Sequence, residues 1–292
     1  MQKKNKDKNI NKMIANAFTI QKTNVHEANS LGFMARSFIL ATMPHSKPKS
    51  NEFTRINGNY TLHMMSPSII GLPYGAIPRL FLAYLTKQIK QTKSREVSLG
   101  NNLNQFMKEL GLIPTGGRWG TITNLKLQIR KTLNCDFRVW NNTEKGEKMK
   151  KYEISDGYYL MWDKKNSVPK QSSLFASTIH VSEGFYNDVI ENSMPLDMRI
   201  LKALKGSAFT LDVYMFLTYR LAYLKKETVI PYKILFALFG SNYKELKHFK
   251  ESFKKATQKV CLFVPEFNVT DHKNGLKLEP SKLHIPRKSN CL

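Results

Sequence analysis

Two stretches of this chain set polar and charged side chains at helical spacing, where they could read a partner molecule. In the first, Ile122, Leu125, Ile129 and Leu133 fall on one narrow arc and are expected to face inward. The opposite arc holds Asn124, Gln128 and Lys131, flanked by Thr123. Carboxamides can pair bidentately with adenine, and an ammonium can reach guanine or a phosphate. Arg118 and Trp119 stand just before this helix and Thr121 opens it, where free N–H groups favour a phosphate oxygen. In the second stretch Leu246, Phe249, Phe253 and Ala256 form the buried stripe. Lys244, Lys247, His248, Glu251, Lys255 and Gln258 lie opposite. Lysines on one arc suit a phosphate-lined groove, and Glu251 can accept from cytosine N4. Any amphipathic helix owns a polar face, so the first arc argues weakly. The second is one-sided in charge and argues more strongly.

The residues needed for catalysis do not assemble. Gly111-Leu-Ile-Pro-Thr-Gly116 has P-loop glycine spacing, but Gly117 and Arg118 stand where lysine and serine or threonine are required. No His-x-His pair offers a nickase its metal ligands, and His284-Ile-Pro-Arg287 lacks the following tyrosine of a recombinase. Cys135, Cys261 and Cys291 are far apart and form no zinc-spaced cluster. The expectation is a non-enzymatic protein with no metal and no cofactor, in a reducing compartment, the cytoplasm.

The chain has 292 residues with 46 Lys+Arg against 22 Asp+Glu, a formal net charge of +24. Such a field attracts polyanions, nucleic acid first and anionic membrane second. Hydrophobic residues at 41% are enough for globular cores, so wholesale disorder is excluded. No apolar run is long enough to span a bilayer, so no membrane role is expected.

The elements that must position these faces occur in one order twice. The first series opens with a helix from Gly75–Pro78 carrying Leu80, Phe81, Tyr84, Leu85 and Ile89. A short strand follows at Arg95–Leu99, then a helix capped by Asn101 or Asn102 and stopped by Gly111. The turn Pro114–Gly117 leads to the helix Thr121–Leu133, and strands Phe137–Asn141 and Tyr152–Trp162 flank the charged loop Glu144–Lys151. The second series starts near Pro195 and includes helices to Leu204 and over Thr210–Lys225, a strand at Thr228–Ile230 and a helix from Pro231 to Phe239. A helix capped by Ser241 or Asn242 runs to Lys259, then strands Val260–Phe267 and Leu276–Leu278 flank Asn268–Gly275. Helix, strand, helix, turn, helix and two strands is the order of a winged helix-turn-helix. The expected class is α+β and helix-rich, with two tandem winged-helix domains at 60–170 and 171–280. Residues 1–59 read as a basic, largely disordered arm and linker, and 281–292 as a flexible tail. Lys148 and Lys150 in the first wing, and Lys273 in the second, are expected on phosphate. Tyr84, Trp140 and Tyr152 could stack on single strands, although core use is favoured.

Gly71-Leu-Pro-Tyr-Gly-Ala-Ile-Pro-Arg79 with Leu80–Leu85, Ser94-Arg95-Glu96, Leu99-Gly100, Leu103-x-x-Phe106-Met107-x-x-Leu110-Gly111 and Pro114–Thr121 resembles the plasmid-encoded RepA replication initiators. Leu211-Asp212-x-Tyr214-x-x-Leu217-x-Tyr219-Arg220 resembles a helix in the second half of many plasmid initiators. The resemblance implies sequence-specific binding to double-stranded repeats at the plasmid origin, opening of AT-rich DNA and loading of a host helicase through it or its loader. It also implies repression of the protein's own promoter, often as a homodimer. Arg118, Trp119 and Thr121 match the family's turn, with Trp119 favoured as an anchor in the core. Rival readings are a winged-helix transcriptional regulator, a nicking enzyme or recombinase, and a basic protein that binds RNA or membranes.

Overall fold

The computed structural model describes residues 2–100, 102–160, 177–240 and 243–286. Its elements in chain order are α1 (Gln2–Gln21), β1 (Leu31–Ala35), α2 (Arg36–Leu40), β2 (Glu52–Asn57), β3 (Tyr60–Met65), α3 (Ala76–Thr92), β4 (Glu96–Ser98), α4 (Leu103–Glu109) and α5 (Thr121–Leu133). Then come β5 (Asp136–Thr143), β6 (Gly146–Glu153), β7 (Ser155–Tyr159), β8 (Thr178–Val181), α6 (Glu183–Asn192) and β9 (Ser193–Asp197). The last are α7 (Met198–Leu204), α8 (Ala208–Ala222), β10 (Thr228–Pro231), α9 (Tyr232–Phe239), α10 (Leu246–Phe263), β11 (Val269–His272) and β12 (Gly275–Leu278). The class is α+β and helix-rich, as expected. Two compact units divide the chain: a central one of residues 33–194 and a terminal one of 1–32 with 195–292.

The central unit is built around α3, which is buried on every side from Ile77 to Thr86. Arg79 on that helix is 1% exposed. Its guanidinium donates to the carbonyls of Met43 at 2.7 Å, Gly75 at 2.7 Å and Pro44 at 3.3 Å. These bonds draw the segment before β2 into the core, where Met34, Phe38, Ile39 and Met43 are buried. The expected linker is thus part of the fold.

Two antiparallel sheets complete this unit. One has the order β2-β3-β5-β6 and the other β4-β8-β7. The expected first wing, Glu144–Lys151, is instead mostly strand: β6 pairs with β5 from Thr143↔Gly146 to Asp136↔Glu153. β6 is an edge strand, and its lysines fit the role of charges that keep an edge from pairing further. The short strand β4 pairs not with this hairpin but with β8, through Val97↔Ile179. Residues 177–194, expected in the second domain, therefore finish the central unit, with Phe185 and Val189 of α6 in its core. The expected boundary at 170/171, and Trp162 at the end of a strand, fall within 161–176, outside the described residues.

The terminal unit packs α8 against α10 around Phe209, Phe239, Phe249 and Phe253, whose rings meet at 5.5–6.1 Å. Its sheet has the order β10-β12-β11, antiparallel throughout. Here α10 runs past Lys259 to Phe263, where a strand was expected. Val260 and Phe263 continue the buried stripe of Phe253 and Ala256 at helical spacing, which outweighs their β propensity. The expected cap at Ser241 or Asn242 lies outside the described residues, and Asn101 does too; Asn102 does cap α4, accepting from Gln105 N–H at 2.8 Å.

The N-terminal arm is also corrected. Residues 2–21 form α1, and Ala17 and Ile20 are buried where it packs on α7 and α10. Gln21 donates to the Leu262 carbonyl at 2.8 Å. The tail is held as far as it is described: Ile285 is buried, and His284 meets the Tyr214 hydroxyl at 3.1 Å. Burial pushes the His284 imidazole below its usual range.

Replacing Arg79 by alanine is expected to cost about 3 kcal/mol, because it removes three charge-assisted bonds from buried carbonyls. Urea unfolding of the full chain measures it, and Arg79→Lys should restore only a minor part, since one ammonium cannot span the fork.

Candidate nucleic-acid interface

In the terminal unit the expected polar side chains of α10 are exposed, while Leu246 of the expected buried stripe is only half-buried. Phe249, Phe253, Ala256, Thr257, Val260 and Phe263 point α10 inward. Lys247, His248, Glu251, Lys255 and Gln258 are exposed along the outer side, and Lys244 is exposed just ahead of the helix. His248 Nε2 lies 3.7 Å from a Glu245 carboxylate oxygen. Lys273 is exposed in the tight turn between β11 and β12. That turn is compact because Gly275 passes close to β10: a Cβ there would sit 2.1 Å from the Ile230 carbonyl oxygen.

A small polar cluster ties helix and turn together. The Tyr232 hydroxyl donates to Asp271 Oδ1 at 2.5 Å, and Lys254 Nζ lies 2.6 Å from Asp271 Oδ2. Lys250 and Lys254 sit over the Tyr232 ring at 5.1 and 6.0 Å. Hydrogen bonds from Lys254 and Tyr232 hold the Asp271 carboxyl below the usual carboxylate range. Burial and the adjacent carboxylate push the Tyr232 phenol up. Lys250 and Lys254 thus serve the internal architecture, and Lys247 and Lys255 are left outward.

In the central unit the sequence-derived face changes. Gln128 is 1% and Lys131 6% exposed. The loop before α3 covers them: Gln128 Oε1 accepts the Tyr74 N–H at 2.9 Å, and Lys131 Nζ lies 5.1 Å from the Tyr74 ring centre. Burial pulls the Lys131 ammonium below its usual range, with Lys47 adding to it. Neither residue can read a base from this position. The face that α5 leaves open is Thr123, Asn124, Leu127 and Arg130. Arg130 was missed, although its spacing from Thr123 and Leu127 in the sequence already put it on that side.

The turn before α5 is tightly bonded. Thr121 Oγ1 donates to the Ile113 carbonyl at 2.6 Å and accepts the Thr115 N–H at 2.9 Å; Thr115 Oγ1 accepts the Thr121 N–H at 2.9 Å. Thr121 therefore builds the turn. Thr123 Oγ1 donates to the Gly117 carbonyl at 2.8 Å. Gly120 allows the close approach, since a Cβ there would lie 2.3 Å from the Thr115 and Gly116 carbonyl oxygens. Arg118 is exposed with its guanidinium 5.3 Å from the Trp119 ring centre. Trp119, expected as a core anchor, is 90% exposed.

Lys148 and Lys150 are exposed on β6, not in a wing. Lys150 Nζ lies 3.0 Å from Oδ1 of the buried Asp188, pinning β6 to α6. Tyr84 and Tyr152 are buried, as favoured, while Trp140 is half-buried. Burial, with Glu109 nearby, pushes the Tyr84 phenol up to about 12. Among the described residues no group of three or more His, Cys, Asp or Glu could hold a metal ion, and no helix is long and apolar enough to cross a membrane.

Gln128→Ala is expected to lower stability by about 1 kcal/mol, because it strands the part-buried Tyr74 N–H, while leaving nucleic-acid preference unchanged. Chemical denaturation alongside a binding assay separates the two effects. The Asp271 contribution should be pH-dependent. A carboxyl held below its unfolded value near pH 4 stabilises fully above that value and loses the effect as pH falls. The stability gap between wild type and Asp271→Asn should therefore be present at pH 7 and close toward pH 3 in parallel urea titrations.

The family described as plasmid encoded RepA protein matches residues 72–234. The match spans the loop before α3, the turn before α5 and α8, and stops in α9 before the cationic helix α10. Two crystal structures of RctB domains 2 and 3, one of selenomethionine derivatives, are similar at TM-scores of 0.53 and 0.52 with 10% identity. The likeness covers 84% of this chain and 98% and 96% of those chains, and it shows a shared fold. No curated protein sequence matches. With more than half its length matched, the chain belongs to the family of plasmid encoded RepA proteins.

Proposed function

We propose that the protein is a non-enzymatic initiator of plasmid replication that binds double-stranded repeats at its own origin. The observation that carries the reading is the outward face of α10, with Lys247, His248, Glu251, Lys255 and Gln258 exposed beside the Lys273 turn, in a member of the RepA family. The terminal unit reads as a winged helix, with α10 as the recognition helix and the β11–β12 turn as the wing. The order β4-β8-β7 behind α3, α4 and α5 repeats the order β10-β12-β11, which supports a second winged helix in the central unit.

On this reading affinity comes chiefly from phosphate contacts by Lys244, Lys247, Lys255, Lys273 and Arg118. Sequence is read by His248, Glu251 and Gln258 from α10, and by Asn124 and Arg130 from α5, where a guanidinium suits guanine and a carboxamide suits adenine. Opening of AT-rich DNA, recruitment of a host helicase or its loader, repression of the protein's own promoter as a homodimer, and a cytoplasmic location complete the proposal.

Selection from random double-stranded DNA near physiological salt, with sequencing of the retained pool, tests it. A sharp motif that recurs as repeats beside an AT-rich stretch near the gene supports an initiator. Absence of enrichment would sink it. In the same system Lys247→Ala with Lys255→Ala should weaken binding to all sequences alike. It should also flatten the dependence of log K on log salt by roughly 0.9 for each phosphate that is no longer neutralised.

A further inference from the structure

Trp119 stands out among the exposed apolar side chains, at 90% exposure, and Ile113 on the same turn is 74% exposed. Tryptophan is a large apolar group that a fold usually covers. This one is not on a slack loop. The reciprocal Thr115–Thr121 bonds, the Thr123 bond to Gly117 and the tight passage at Gly120 fix the backbone on both sides of it. A contact made by the ring therefore costs little ordering of main chain.

The surroundings narrow what the ring can meet. Between Leu112 and Asn134 the sequence carries Arg118, Lys126 and Arg130, with Lys131 buried beneath the Tyr74 loop, and not one carboxylate. An exposed aromatic ring on a segment whose charged residues are all basic complements a ligand that offers both anions and flat apolar faces, which is the chemistry of a nucleic acid. The Arg118 guanidinium lies over the ring at 5.3 Å, giving the indole a cationic neighbour. In a paired duplex each base face is already covered by its neighbours. A ring that stacks therefore requires a base that has left the stack.

We propose that Trp119, backed by Arg118, is a stacking platform for an unpaired base in locally opened DNA. The proposal rests on the reading that the protein binds DNA, and it adds a site that discriminates opened from paired strands. It differs in kind from the base-edge reading assigned to α5 and α10, because stacking is tolerant of base identity.

The test uses the full chain and two probes of one arbitrary sequence, a paired duplex and the same duplex with a short central bubble of thymidines. Wild type should bind the bubble about tenfold more tightly, as expected for one stacked base. Trp119→Ala should bring that ratio close to one with duplex affinity and circular dichroism melting unchanged, and Trp119→Phe should keep most of it. Equal wild-type affinity for both probes would overturn the proposal, as would an undiminished ratio in Trp119→Ala. A parallel loss on both probes would make Trp119 a duplex contact instead. Loss of self-association in Trp119→Ala, with the bubble ratio intact, would assign the ring to a second copy of the chain. Failure of wild type to bind either probe would overturn the DNA-binding reading itself, and the platform with it.

Discussion

The Arg79 guanidinium, buried and donating to Met43, Pro44 and Gly75, is the constraint on which the central unit depends. A charge removed from water must be met by polar atoms, and here the main-chain carbonyls of two separate segments meet it. That requirement fixes where the chain before β2 lies and where α3 begins. It also fixes the loop that ends at Gly75, and with it Tyr74, whose N–H reaches Gln128 on α5. Through this sequence of bonds a single buried cation determines which side of α5 is covered and which is free. Thr123, Asn124, Leu127 and Arg130 face outward because Gln128 and Lys131 lie under the loop.

Much of the terminal unit was legible from local pattern. The stripe Phe249, Phe253, Ala256 is a three-to-four residue period, and it oriented the helix correctly without knowledge of the rest. Its charged side followed by elimination. The central unit obeyed less because its decisive contacts are remote in sequence. No periodicity announces that β4 will pair with β8 some eighty residues later, or that the hairpin of β5 and β6 will join β3 instead. A helical wheel also treats each helix as half wet and half dry. It could not show that a loop from residues 71–75 would cover Gln128 and Lys131. Trp119 was misplaced for a related reason: large aromatics are usually interior, and only the three-dimensional turn reveals an exposed one. The arm was misjudged on composition, since the lysine and asparagine run at its start hides the apolar Ala17, Ile20 and Val25 that dock it.

The two units hold their cationic helices by different means. In the terminal unit Lys254 joins α10 to β11 through Asp271 and Lys250 lies over the Tyr232 ring of α9, while Lys247 and Lys255 face outward. In the central unit threonine hydroxyls and a close glycine passage set the entrance of α5, with few charges. Lysines confer affinity for any polyanion, whereas amide and guanidinium groups discriminate among bases. On the proposed reading the terminal helix supplies most of the lysine contacts to phosphate, and both helices offer groups that read bases.

The most direct test of this account is acylation of lysine amines in the full chain, free and bound to DNA, with modification read residue by residue by mass spectrometry. Lys244, Lys247, Lys255 and Lys273 should react rapidly in the free protein and become protected by DNA. Lys131, lying beneath the Tyr74 loop, should react slowly in both states. Rapid labelling of Lys131 in the free protein, with protection appearing only when DNA is added, would contradict the covered face of α5 and the series of bonds that begins at Arg79.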